Sequence, residues 1–256
     1  MSCQLRVLGC SGGIGGDNRT TSFLLNHTIL IDAGTGVGDL QLAELQEIEH
    51  VFLTHVHLDH IACLPLLLDS VVGVRSSPVF VHATAQTIAL LRQHIFNWLI
   101  WPDFSTIPSA DQPSLVFVEH EVGQATVIGE VTITPLPAIH TVPAVGFLME
   151  TSQGAIVFSG DSIAGPDFWL AVNQVKNLKA LIIETAFADK EHQLADAAKH
   201  LCPSTLAEQL RGWQGGAEVL ITHLKPADSE LTIQEVLALD HDHPIRRLLQ
   251  GEIIEF

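Results

Sequence analysis

The chain has 256 residues, enough for one large domain (1–256) with a proper core. Its 12 basic and 29 acidic residues leave a net charge of −17 with neutral histidines, a field that repels phosphate backbones and disfavours long nucleic acid as a partner. No apolar run reaches the about 18 residues of a membrane span, and the start MSCQLRVLGCSGG lacks the basic-then-apolar pattern of a secretory leader, so a cytoplasmic protein without a membrane partner is expected.

Short β-type runs come first, QLRVLG (4–9), TSFLLN (21–26) and TILID (28–32), each closed by a turn-forming residue. DLQLAELQEI (39–48) has helical spacing and HVFLTH (50–55) reads as a strand. Residues 58–72 have a helical pattern, PVFVHA (78–83) is a strand, and residues 84–97 form a helix that Thr84 can cap. The three prolines of WPDFSTIPSADQP (101–113) predict a surface loop. Strands resume at 114–120, 125–137, 144–151 and 155–161. A helical stretch around 168–177 leads into the strand ALIIET (180–185), then a helix at 201–213, the strand EVLITHL (218–224) and a helix at 231–239. Strands, then helices interleaved with strands, occur twice over. Two sheets packed face to face with helices outside fit that order, as does a doubly wound α/β sheet. Cys3, Cys10, Cys63 and Cys202 show no CxxC spacing and read as reduced thiols.

HVHLDH (55–60) places three histidines and an aspartate between an apolar strand and an apolar helix. Alternation along the strand aims His55 and His57 to one side. Asp59 and His60 then fall at a helix start, where the dipole favours a carboxylate. Imidazole and carboxylate are ligands that zinc and its first-row neighbours accept. Three further polar residues each end an apolar strand: His140, Asp161 and His223. The set suffices for two sites, with His55, His57 and His140 on one metal, Asp59, His60 and His223 on the other, and Asp161 bridging them.

A HxHxDH motif, a lone histidine, a GD aspartate and a late histidine resemble the ligand order of the metallo-β-lactamase superfamily. THVHLDH (54–60), FSGDS (158–162), IETAF (183–187), KHLCPSTL (199–206) and ITHLKP (221–226) are similar to the class II cyclic-nucleotide phosphodiesterases within it. The resemblance runs from GCSGG (9–13) to THLKP (222–226). It implies a four-layer αββα sandwich, two divalent metal ions (zinc, or manganese or iron) and hydrolysis of 3′,5′-cyclic nucleotides to 5′-monophosphates. The chain departs from that family at Lys199 and Cys202, where glycine and threonine are usual, and at Cys63, where a small residue is usual.

The resemblance also implies that His200 faces the site and donates a proton to a phosphoryl or leaving oxygen, while Asp59 orients the attacking water and takes its proton. Glu184, at the end of ALIIET, is read as a carboxylate that orients a ligand histidine. The glycine-rich GCSGGIGGDNRTT (9–21) lacks the lysine of a P-loop. By the resemblance it lines the site, with Arg19 a candidate phosphate contact and a plain structural turn the competing reading. DHDHP (240–244) reads as a solvated helix end rather than a third metal site. Phe96, Trp98, Trp101 and Phe104 read as core or as a homodimer contact in preference to a base-stacking surface. A small anionic substrate is the expected partner. Thioester or lactone hydrolysis, a tRNA 3′-end nuclease and a non-enzymatic metal scaffold are the alternatives.

Overall fold

A computed structural model describes residues 3–239 and 243–256; Asp240, His241 and Asp242 of the DHDHP stretch lie outside the described residues. In chain order the first half contributes β1 (Gln4–Gly9), β2 (Ser22–Leu25), β3 (Ile29–Ile31), α1 (Leu42–Glu47), β4 (His50–Phe52), α2 (Leu58–Ile61), α3 (Leu64–Val71), β5 (Val79–Ala83), α4 (Ala85–His94), a two-strand hairpin of β6 (Pro108–Ser109) and β7 (Gln112–Pro113), and β8 (Leu115–Glu119). The second half contributes β9 (Thr126–Ile128), β10 (Val131–Pro137), β11 (Val145–Glu150), β12 (Ala155–Phe158), α5 (Pro166–Val172), β13 (Leu178–Glu184), α6 (His192–Ala198), α7 (Pro203–Leu210), β14 (Glu218–Thr222), α8 (Ser229–Leu237), β15 (Ile245–Arg247) and β16 (Ile253–Glu255).

Among the described residues two seven-stranded sheets result, in the orders β16-β1-β2-β3-β4-β5-β8 and β15-β14-β13-β12-β11-β10-β9. Each begins as an antiparallel meander and continues parallel, from β3 onward in one and from β12 onward in the other. The parallel crossovers need helices, and these cover the outer faces.

Three apolar layers follow from that arrangement. Between the sheets, Leu5, Val7, Phe23, Ile31 and Phe52 meet Ile133, Phe147, Met149, Phe158 and Ile182. Outside the first sheet, Val51, Leu53 and Val81 pack with Leu64, Leu67 and Leu68 of α3 and Leu91 of α4. Outside the second, Val157, Leu181, Ile183 and Ile221 pack with Phe168 of α5, Leu206 of α7 and Val236 of α8. The strands at the heart of the fold are buried on both faces, which is why their sequences are continuous apolar runs rather than alternations. The four-layer αββα sandwich is the fold, and the doubly wound alternative falls away.

Local differences from the sequence expectation have identifiable causes. The helix over 58–72 is broken into α2 and α3, because Pro65 occupies the first turn of a new helix. The run 125–137 is a hairpin of β9 and β10 joined through Gly129 and Glu130. Thr84 caps α4 as expected, its hydroxyl accepting from the Thr87 N–H. The short strands β15 and β16 were not anticipated; they are three residues each and too brief for a pattern. Phe96 and Phe104 are buried in the core, Trp101 donates its ring N–H to the Pro65 carbonyl at 3.1 Å, and Trp98 is exposed. Among the described residues, no helix is long and apolar enough to cross a membrane. All four cysteines are free.

Candidate functional site

The parallel strands of both sheets end at one rim of the sandwich, and the polar residues that follow them converge there. The loop after β4 carries His55 and His57, and α2 carries Asp59 and His60. From the second half come His140 after β10, Asp161 after β12 and His223 after β14. One ligand atom from each of His55, His57, His140 and Asp161 lies within 4.8 Å of all the others, and the same holds for Asp59, His60, Asp161 and His223. Asp161 belongs to both clusters. Its Oδ2 is 3.7 Å from His55 Nε2 and 3.2 Å from His60 Nε2, while Oδ1 is 3.3 Å from His223 Nδ1. Across the clusters' outer edges, His57 Nδ1 lies 3.1 Å from His140 Nε2 and Asp59 Oδ2 lies 3.7 Å from His223 Nε2.

The backbone that presents Asp161 is constrained. Gly160 adopts a left-handed φ of 61°, and a Cβ there would fall 2.6 Å from the Val145 carbonyl oxygen. Only glycine fits that turn. His223 also has a left-handed φ, 63°, as does Asp32, 56°. Left-handed non-glycine residues cost energy and persist where surrounding structure holds them.

Asp32, at the end of β3, was missed by sequence reasoning. It is fully buried and accepts three hydrogen bonds, from the Thr54 N–H (2.8 Å), the Thr54 hydroxyl (2.8 Å) and His60 Nδ1 (2.7 Å). Because the Thr54 hydroxyl gives its only proton to Asp32, it accepts from His55 Nδ1 at 2.9 Å. The outer nitrogens of His55 and His60 are thereby committed, and their Nε2 atoms, buried and without a hydrogen-bond partner among the described residues, point into the cluster. His140 Nδ1 is held by the Lys199 carbonyl at 3.2 Å, and His223 Nδ1 faces the Thr21 hydroxyl at 3.4 Å. The LID pattern that marks Asp32 is the same signal that marks Asp161: a carboxylate ending an apolar strand.

Electrostatics follow the same plan. Burial pushes His55 well below the ordinary imidazole range, His140 down to about 4 and His223 down to about 3, keeping them neutral with a lone pair for a cation. Burial also opposes charging of His60, but Asp161 and Asp32 on either side hold it well above its ordinary value. Burial resists ionisation of Asp161 too, yet His223, His60 and His55 hold it well below the carboxylate range. The neutral imidazoles of His55, His140 and His223 beside the ionised Asp161 form a donor set suited to first-row metal ions, and a cation between His60 and Asp161 would take the place of the proton on His60. The orphaned Nε2 atoms give such ions a place.

His200 packs beside both clusters, its ring 5.0 Å from that of His140 and stacked 5.2 Å from that of His223. Its Nδ1 lies 2.8 Å from Glu184 Oε1. Glu184, fully buried, also accepts from the Ser162 and Leu201 N–H groups. The carboxylate therefore orients His200 rather than one of the seven clustered residues. Burial works against a charge on His200, and Glu184 outweighs it, raising the ring above its ordinary value. Arg19 is turned to Asp39, Nε to Oδ2 at 2.9 Å, and to the carbonyls of Gly16 and Asn18.

Comparison with known proteins places this geometry. A 3′,5′-cyclic-nucleotide phosphodiesterase of Aliivibrio fischeri is 25% identical over 98% of this chain and 92% of its own length. Yeast PDE1 superposes with a TM-score of 0.79 at 21% identity, covering 100% of this chain and 99% of that one. The metallo-β-lactamase fold protein YhfI of Bacillus subtilis gives 0.77 at 20% identity over the whole of both chains. The model of the β-lactamase superfamily domain matches residues 27–224. That match takes in four of the seven strands of the first sheet, six of the seven of the second and every residue of the two clusters, and the chain belongs to the metallo-β-lactamase superfamily of hydrolases.

Proposed function

We propose that the protein is a dinuclear metal-dependent phosphodiesterase that opens 3′,5′-cyclic nucleotides, cAMP or cGMP, to 5′-monophosphates. The observation that carries the dinuclear reading is Asp161, shared by two donor clusters that each contain one buried imidazole nitrogen, His55 Nε2 or His60 Nε2, without a hydrogen-bond partner among the described residues. His55, His57 and His140 would hold one ion, Asp59, His60 and His223 the other, and Asp161 both. Histidine and carboxylate donors favour zinc and admit manganese or iron. When bound, two such ions activate water near neutral pH and neutralise charge on the phosphoryl oxygens.

This chain's own residues supply the rest. The Asp59 carboxylate, at the start of α2, orients the attacking water and takes one of its protons. Water oxygen bonds to phosphorus as the bond from phosphorus to the 3′ oxygen breaks. His200, its Nδ1 fixed by Glu184, donates from Nε2 to the departing 3′ oxygen. The cyclic-nucleotide class is supported by the name of the Aliivibrio relative and by a net charge of −17 that disfavours long nucleic acid. The whole chain acts as one domain, since both halves contribute donors and share the core between the sheets. A cytoplasmic location accords with four free cysteines and a cyclic-nucleotide substrate.

The test is turnover of cAMP, cGMP, bis(p-nitrophenyl) phosphate, an acyl thioester and a lactone by metal-loaded protein, with Asp161→Ala as control. Hydrolysis of the phosphodiesters by the wild type alone is expected. Turnover restricted to the thioester or lactone would replace the phosphodiesterase reading, and inertness toward all five would favour a metal-binding scaffold.

A further inference from the structure

Lys225 lies two residues beyond His223, in the segment leaving β14. Its ammonium donates to the Gly12 carbonyl oxygen at 2.7 Å and sits 3.4 Å from His223 Nε2 and 3.9 Å from Asp59 Oδ2. The side chain is 32% exposed, so the charge stands between the donor clusters and solvent. Its field also reaches His200.

The position is built into the fold. Lys225 N–H donates to the Ala186 carbonyl, and Gly12 N–H and the Ser11 hydroxyl both donate to the Leu224 carbonyl. A Cβ on Gly12 would fall 2.4 Å from the His223 carbonyl oxygen, so glycine is what lets this loop come close enough to hold Lys225. One of the three ammonium hydrogens is used by Gly12 and a second reaches His223 Nε2, which leaves one for a ligand oxygen. The neighbouring cations are turned elsewhere: Arg19 to Asp39 at 2.9 Å, and Lys199 to Asp196 at 3.7 Å. An anion approaching a protein of net charge −17 needs a local positive charge at the mouth of its site.

We propose that the Lys225 ammonium grips the non-bridging oxygens of a phosphoryl group, selecting phosphate esters over neutral acyl esters. The phosphate class rests on the phosphodiesterase reading; the role of Lys225 as an anion-binding charge rests on its own geometry. A compact ammonium acts here as a point charge with a free donor, as lysine does in other phosphate sites.

The experiment is calorimetric titration of inorganic phosphate into metal-loaded wild type, Lys225→Met and Lys225→Gln, with metal equivalents and melting temperature measured for each. Methionine keeps length and removes charge; glutamine keeps a donor for the Gly12 carbonyl without charge. Both variants are expected to bind phosphate about 10- to 100-fold more weakly, the scale of one hydrogen bond to a charged group, with unaltered metal content and melting. Wild-type affinity in Lys225→Met, or no phosphate binding by the wild type, overturns the proposal. Recovery in Lys225→Gln overturns it too, because the side chain then serves as a tether for Gly12. Loss of a metal equivalent in either variant also overturns it, by making Lys225 a support for Asp59. Phosphate binding that depends on Lys225 in a protein inert toward cyclic nucleotides would instead sink the cyclic-nucleotide reading and leave the role of Lys225 standing.

Discussion

Asp32 holds His60 by a 2.7 Å contact between Oδ2 and Nδ1, 28 residues apart in the chain, with both side chains fully buried. Through Thr54 the same carboxylate also sets His55. One group thus fixes a nitrogen donor in each cluster. Asp32→Asn keeps a residue that tolerates the left-handed backbone but removes the charge. Metal affinity, measured by competition with a chromophoric chelator, is expected to fall by roughly 10- to 100-fold. An unchanged affinity would mean that the two histidines need no such support.

Asp161→Asn is expected to retain the fold and bind one metal equivalent instead of two, with most turnover lost. Elemental analysis of the purified variant decides it. Two full equivalents would refute the sharing of Asp161 between the clusters.

His200→Ala is expected to keep its metal content and lose roughly 10²–10⁴ in kcat on cAMP, the scale of a general acid. Glu184→Gln, which leaves His200 Nδ1 without its carboxylate, is expected to lose a smaller factor in the same direction. The loss should shrink on bis(p-nitrophenyl) phosphate, because p-nitrophenolate leaves without a proton. Equal losses on both substrates would remove proton donation from the role of His200.

His82 and His120 give the protein an acid limb independent of the metal site. His82 lies flat on Phe52, ring centroids 4.1 Å apart, and His120 meets Phe147 edge-on. Burial pushes His82 down to about 3 and His120 down to about 4. The unfolded chain takes up these protons near pH 6.5, whereas the folded chain refuses them until about pH 4 and then about pH 3. Stability is therefore fully present above about pH 6.5 and is lost as pH falls. His120→Leu should be about 2 kcal/mol more stable than wild type at pH 5 from linkage alone, with the gap narrowing toward pH 7.5. Denaturant midpoints that run parallel across that range would contradict it.

Lys199 closes α6 with a left-handed φ of 58°, a conformation that favours glycine. Its carbonyl still holds His140 Nδ1. Lys199→Gly should relieve about 1 kcal/mol of backbone strain, visible as a raised melting temperature with metal affinity preserved. A lower melting temperature would show that the lysine side chain contributes more than its backbone costs.

Much of this was legible in the chain. Apolar runs such as AIVF and VLIT, each ended by a single polar residue, mark buried parallel strands aimed at one rim. The HVHLDH stretch with His140, Asp161 and His223 names the residues that meet there. What spacing cannot convey is pairing between distant strand ends. Asp32 carries the same mark as Asp161, but nothing local ties it to His60. Glu184 ends β13 and His200 lies 16 residues on, in the link between α6 and α7, so the histidine that Glu184 orients is fixed only by tertiary contact. Lys225 reads as an ordinary charged loop residue until Gly12, over two hundred positions earlier, folds beneath it.

The closing strand β16, three residues long, lies antiparallel along β1 and supplies its outer hydrogen bonds. Without it, β1 would present a bare row of amides and carbonyls, a template for pairing with another molecule. The strand so shielded runs directly into the loop bearing Gly12. Losing the last few residues would therefore invite self-association, and would also loosen the floor beneath Lys225 although no catalytic group had been touched.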